Sequence, residues 1–284
     1  MGVTQPFVYA CIAPHGLPIL EPLSGSDPEL MAKTRSSMVE LGRGMAEAKP
    51  EAIIVLTPHG LRIDGSFCVA NCSNMYGELS EQTVAGMVGQ DRSDKGVTIT
   101  MRRSVDRELA KAVIDQARSA GLPVADANFA TSEGRFSSLP LDWGAMIPLY
   151  FMPETPIVVI TPSRALSYEM HIEFGQALAR AVAQSGKRVG LIASCDWSHA
   201  HAVDGPYGFH EDAARLDERV VELLNSGEIE RMTAFEDAFV DHAKPDGIWQ
   251  SLILAGAIPP EARKPRFLSY EVPTYFGLMC ASFL

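Results

Sequence analysis

Two hydrophobic periods alternate along this chain. Short aliphatic runs recur at Phe7 to Ile12, Ala52 to Leu56, Phe67 to Ala70, Ile157 to Ile160 and Val189 to Ala193, and near-continuous runs of this kind predict strands buried on both faces. Between them lie segments with helical spacing. These are Asp27 to Glu47, opened by Ser26-Asp27-Pro28, Arg107 to Ala120, ended by Gly121, Ser167 to Gln184, stopped by Gly186, and Glu211 to Leu224, ending near Gly227. Proline in a first turn and glycine just past a last turn are the expected punctuation. Ile248 to Ala257 reads as a further helix, and Tyr270 to Phe283 as an extra strand pair. Strands alternating with helices predict an α/β fold, a central mostly parallel or mixed sheet flanked by helices. No repeat, low-complexity tract or long polar linker interrupts the pattern, so one domain over 1–284 is expected.

Composition narrows the partners. The chain has 24 Lys+Arg against 35 Asp+Glu, a formal net charge of -11. It has no basic run, which argues against nucleic acid or an anionic membrane. Its longest apolar stretches fall far short of the roughly 20 residues of a membrane span. The N-terminus shows no charged segment followed by a long apolar run, so no secretory leader is expected. Cys11, Cys68, Cys72, Cys195 and Cys280 are scattered, without a CxxC pair. Free thiols in a reducing cytoplasm are the simplest expectation.

The chemistry lies in the histidines. Three of them follow predicted strands: Tyr9 to Ile12 runs into Ala13-Pro14-His15-Gly16, Ile53 to Leu56 into Thr57-Pro58-His59-Gly60, and Val189 to Ala193 into Ser194-Cys195-Asp196-Trp197-Ser198-His199. Ligands of open α/β sheets bind beyond the carboxyl ends of the strands, so three such histidines converge on one edge. Proline ends the strand, and glycine is expected to let the backbone turn sharply. This presents an imidazole on a stiff elbow. His171, His201, His210 and His242 read instead as helix, turn or supporting residues, with His201 a possible substrate contact. Two imidazoles with one carboxylate leave open positions on a metal, the arrangement of non-haem Fe(II) oxygenases. Asp246, Glu271, Asp196 and Asp142 are the candidate acids. Asp246, before the helix at Ile248, reads equally well as an N-cap.

These elbows, together with Leu141-Asp142-Trp143-Gly144-Ala145-Met146-Ile147-Pro148-Leu149-Tyr150 and Ser194 to His199, resemble the class III extradiol dioxygenase superfamily. That is the group of the protocatechuate 4,5-dioxygenase catalytic β subunit and the Memo-like proteins. The resemblance runs from His15 to the helix after Asp246 and implies an α/β fold with Fe(II) at the sheet edge, Zn(II) or Mn(II) being compatible with the same donors. It implies His15 and His59 as ligands and His199 as the acid/base. For the third ligand it points to Asp246, with Glu271 as the fallback. Many dioxygenases of this family carry histidine where this chain has Trp143, which either stacks on an aromatic ring or fills space. With His201 and Tyr207 it is an expected substrate contact.

The expected activity is ring cleavage of a catechol or 2-aminophenol with O2 by a homodimer, some relatives needing a small accessory subunit. The alternatives are a Memo-like metal-binding protein without efficient dioxygenase activity and, with less support, a zinc hydrolase on the same scaffold.

Overall fold

The aliphatic runs form the middle of an eight-stranded sheet in the computed structural model, which describes residues 6–25, 27–80 and 96–284. The strands are β1 (Phe7–Ala13), β2 (Ala52–Leu56), β3 (Phe67–Ala70), β4 (Asn74–Ser80), β5 (Thr98–Ser104), β6 (Val124–Ala127), β7 (Ser138–Pro140), β8 (Ile157–Thr161), β9 (Val189–Ser194), β10 (Arg266–Glu271) and β11 (Leu278–Ser282). The large sheet has the order β10-β11-β1-β9-β2-β8-β3-β6. Its centre, β1-β9-β2-β8, is parallel, while β11 runs antiparallel to β1 and β3 antiparallel to β8. Every residue of β2, β8 and β9 is buried, as expected of aliphatic strands covered on both faces.

The helices are α1 (Ala32–Glu47), α2 (Arg107–Ser119), α3 (Trp143–Tyr150), α4 (Tyr168–Ser185), α5 (Asp212–Ser226), α6 (Asp237–Ala243) and α7 (Ile248–Ala257). Their ends follow local chemistry. Asp106 accepts the Leu109 N–H and Ser167 the Met170 N–H, while Gly186 and Gly227 end α4 and α5 in the left-handed region. α4 and α7 cross backbone to backbone: a Cβ on Gly175 would lie 2.0 Å from the Ile253 carbonyl oxygen, and one on Gly256 2.0 Å from that of Ile172.

Three features differ from the sequence expectation. First, α1 begins at Ala32 rather than Asp27, because the Arg35 guanidinium takes up the carbonyls of Pro28 and Leu30 that a longer helix would use; Ser26 lies outside the described residues. Second, a separate three-stranded sheet, β5-β4-β7, stands beside the large one. Its β5 buries only Met101 and therefore shows no aliphatic run. Third, the C-terminal strand pair starts at Arg266 and is split by a turn that carries Thr274, Tyr275 and Phe276. Among the described residues no helix is long and apolar enough to cross a membrane.

Candidate metal centre

Because β1, β9 and β2 are neighbours and parallel, their carboxyl ends deliver His15, His199 and His59 to one edge. The two elbows bring the His15 and His59 Nε2 atoms to 3.0 Å from each other. The glycines of the elbows serve space rather than backbone sign. Gly16 has φ −59, and a Cβ on Gly60 would meet the Thr161 hydroxyl at 2.3 Å. Asp246 completes the cluster: its Oδ2 lies 3.2 Å from His15 Nε2 and 3.5 Å from His59 Nε2. These three donors lie within 4.8 Å of one another, a grouping able to hold a metal ion.

Two of the three donors, His15 and Asp246, are held from behind. The Ser194 hydroxyl donates to the Gly144 carbonyl and so accepts from His15 Nδ1 at 2.9 Å. That bond places the His15 proton on Nδ1 and leaves the Nε2 lone pair facing the cluster. Asp246 Oδ1 accepts the Asp196 N–H at 2.9 Å. The N-cap alternative for Asp246 is thereby set aside: Gly247 is the cap residue of α7, and no side chain caps that helix. A Cβ on Gly247 would stand 2.6 Å from Cys195 Cβ, so glycine lets the start of α7 press against the end of β9. Of the other candidate acids, only Asp196 approaches the cluster, its Oδ2 3.6 Å from His15 Nε2. Glu271 accepts from the Thr34 N–H and hydroxyl. Asp142 caps α3 and accepts from Thr57 Oγ1 at 2.6 Å. Asp196 takes the His15 N–H at 2.8 Å, holding the elbow rather than joining the cluster.

The electrostatics demand a positive charge here. Burial opposes the imidazolium of His15, yet Asp196 and Asp246 outweigh it and push the group up to about 9. Burial also drives Asp196 up to about 6, whereas His15 and His59 override burial and hold Asp246 well below the carboxylate range. Two facing imidazole nitrogens and a buried carboxylate are a donor set that fits a divalent cation.

The two histidines of the cluster, His15 and His59, line a cavity of about 270 Å3 together with Asp196. Trp143 lines it and stacks on His59, with ring centroids 4.2 Å apart. His199 stands on another wall, stacked on Phe276 at 5.3 Å. Its Nδ1 donates to the Lys244 carbonyl at 2.9 Å, which leaves Nε2 as the lone-pair nitrogen. Burial holds His199 below the usual histidine range, against the opposing pull of Asp246. Tyr207 also lines the cavity, edge-on to His199. His201 does not line it. Its Nε2 is bound to Asp217 Oδ2 at 2.9 Å, and Asp217, fully buried, also accepts from Ser198 N–H and Tyr270 OH. Tyr275, Phe276, Ser194 and Asp217 were not singled out from sequence. Only the aromatic pair Tyr275-Phe276 carried a readable signal.

Comparisons with known proteins bear on the family and the fold. The family described as catalytic LigB subunit of aromatic ring-opening dioxygenase matches residues 9–277. Protein CA_C1420 of Clostridium acetobutylicum is 25% identical over 264 residues, covering 92% of this chain and 54% of that protein. The 2-aminophenol 1,6-dioxygenase beta subunit of Pseudomonas sp is 24% identical over 218 residues, 69% of this chain and 65% of that one. The chain thus spans about half to two thirds of the length of these relatives. An uncharacterized Escherichia coli K12 protein, JW3007, shares the fold with a TM-score of 0.59 and 17% identity, over 96% of this chain and 98% of that one. With a family match running almost from end to end, and the elbows, the cluster and the cavity all within it, the chain belongs to the LigB family of aromatic ring-opening dioxygenase catalytic subunits.

Proposed function

We propose that this chain is an extradiol dioxygenase that opens the ring of a catechol-type or 2-aminophenol-type substrate with O2. In this reading residues 1–284 form one catalytic domain. His15, His59 and Asp246 hold Fe(II), and Zn(II) or Mn(II) suit the same donors. The observation that carries the reading is the His-His-Asp cluster whose two histidines line an aromatic-walled cavity, with a third histidine, His199, on the same lining.

When bound, the metal supplies Lewis acidity toward the adjacent heteroatoms of the ring and electronic contact with O2. The chain's own residues do the rest. Trp143, Tyr275 and Phe276 offer apolar faces that orient a flat ring and exclude water from it. His199, kept neutral by burial, accepts a substrate hydroxyl or amino proton at Nε2 and returns one later. Its Nδ1–H bond to Lys244 O fixes the tautomer for this task. Tyr207, also in the lining of the cavity, is a further substrate contact.

The name of the Pseudomonas relative, a beta subunit, supports a working assembly with a small accessory subunit alongside a homodimer. Five buried free thiols support a cytoplasmic setting.

The test is oxygen uptake by protein loaded anaerobically with Fe(II), against a panel of catechols and 2-aminophenols. Uptake with a new yellow chromophore is expected, lost in His59→Ala together with the metal. His199→Ala should keep the metal and lose most turnover. Full iron and activity in His59→Ala would overturn the ligand assignment. One observation favours a second reading, a Memo-like protein whose pocket binds without efficient turnover: Trp143 replaces a family histidine and packs directly on His59. Stoichiometric metal without oxygen uptake on any substrate is the outcome that reading expects.

A further inference from the structure

Away from the cavity, the described residues bring a second set of metal-ligating groups together. His210 lies just before α5, Asp212 is the first residue of α5, and His242 is in the last turn of α6. His242 Nδ1 is 2.9 Å from Asp212 Oδ2, and His210 Nδ1 is 3.4 Å from the same oxygen. The two imidazole rings lie 4.1 Å apart with their planes 26° from parallel.

Hydrogen bonding leaves this group incomplete. His242 satisfies Oδ2 with an Nδ1–H. His210 Nδ1 accepts the Asp212 N–H at 3.2 Å and therefore donates no proton to Oδ2, which lies 3.4 Å from it. Arg215 reaches only the other oxygen, Oδ1, at 3.2 Å. A cation among the three atoms would give Oδ2 and both ring nitrogens a common partner, His210 exchanging its long bond to the Asp212 N–H for the metal. Separations of 2.9 and 3.4 Å bracket the roughly 3.3 Å edge of a tetrahedron with metal bonds of about 2.0–2.1 Å. The side chains of His210 and His242 are 39% and 46% exposed, which leaves room for the rings to rotate into coordination and for water to complete the shell.

We propose that His210, Asp212 and His242 form a second divalent-metal site, taking a borderline ion such as Zn(II) through two imidazole nitrogens and one carboxylate oxygen. The site joins the start of α5 to the end of α6. His242 is followed closely by Lys244, whose carbonyl holds His199, and by Asp246 of the inner cluster. An ion here fastens the segment from which both are hung.

The experiment is Zn(II) titration of chelator-stripped protein at neutral pH, with bound metal counted after dialysis. Wild type should retain two equivalents, and His59→Ala and His242→Ala one each. The double variant should retain none. In the His59→Ala background, Zn(II) should raise the Tm, and the further substitution Asp212→Asn should abolish that rise. Circular dichroism confirms that each variant is folded. If the inner cluster failed to bind, wild type and His59→Ala would each hold one ion that His242→Ala loses, so the two sites fail separately. Two equivalents retained by both His242→Ala and Asp212→Asn, or a single ion in wild type that His59→Ala removes, would overturn the proposal.

Discussion

Ser194→Ala tests how the inner cluster is held. The buried Ser194 hydroxyl donates to Gly144 O and accepts from His15 Nδ1 at 2.9 Å. Alanine removes both bonds and adds no partner for either buried group. Each orphaned group costs about 1–3 kcal/mol, so the metal-free protein should lose roughly 2–6 kcal/mol of unfolding free energy. The metal should feel a different effect. Without its acceptor the His15 ring no longer has a fixed tautomer, and loss of such a support typically weakens binding about 10–100-fold, or about 1.4–2.7 kcal/mol. Competition with a chromophoric chelator measures the affinity, and urea unfolding of the stripped protein measures the stability. If the destabilisation appeared while affinity stayed within about twofold of wild type, the Ser194 bond would play no part in orienting a ligand, and His15 itself would be in question.

Three further perturbations separate parts of the argument. Asp246→Asn should abolish tight metal binding, whereas Glu271→Gln, remote from the cluster, should leave the inner stoichiometry intact; the reverse result would exchange their roles. Gly256→Ala places a methyl 2.0 Å from the Ile172 carbonyl oxygen. It should lower stability by about 3 kcal/mol, read by urea denaturation, and an unchanged midpoint would contradict the close crossing of α4 and α7. Burial lowers the His171 pKa to about 4 from 6.5. Its contribution is therefore complete above pH 6.5 and falls by about 3 kcal/mol toward pH 4, where the unfolded chain takes the proton first. His171→Leu should flatten this part of the stability-versus-pH curve, and an unaltered slope would refute it.

Much of the candidate site was legible because its chemistry coincides with strand ends. Pro-His-Gly after an aliphatic run places a histidine at a sheet edge whatever the details of packing, and the neighbouring order of β1, β9 and β2 made that edge common to all three. Asp246 was harder, since an aspartate before a helix has the same appearance whether it caps the helix or turns to two imidazoles. The bonds Asp246 makes in three dimensions distinguish the two: Oδ1 takes the Asp196 N–H, Oδ2 faces the two imidazoles, and no side chain caps α7. Asp217 was invisible for a related reason: an acid within an amphipathic helix resembles a solvated position, yet here it is buried under His201, Ser198 and Tyr270. The aromatic wall at Tyr275 and Phe276 was absorbed into a supposed strand, because aromatics satisfy strand and pocket patterns alike. The strand β5 gave no signal, its partners being supplied by β4 rather than by an apolar run of its own.

The parallel placement of β1 between β9 and β11 also sets a timetable for assembly. β1 is synthesised before its partners and has no neighbour in the sheet until residues near 189 emerge, and the histidine that follows it lies 231 positions from the carboxylate it meets. A chain still lacking α7 has two imidazoles and no acid between them. On the proposed assignment, a metal held by His15, His59 and Asp246 would bind the finished fold and not its precursors, and would stabilise that fold by about 2.7 kcal/mol when the free ion stands at a hundred times its Kd. Metal supply then becomes a check on completion, with truncated or misassembled chains left without this reinforcement and open to proteolysis.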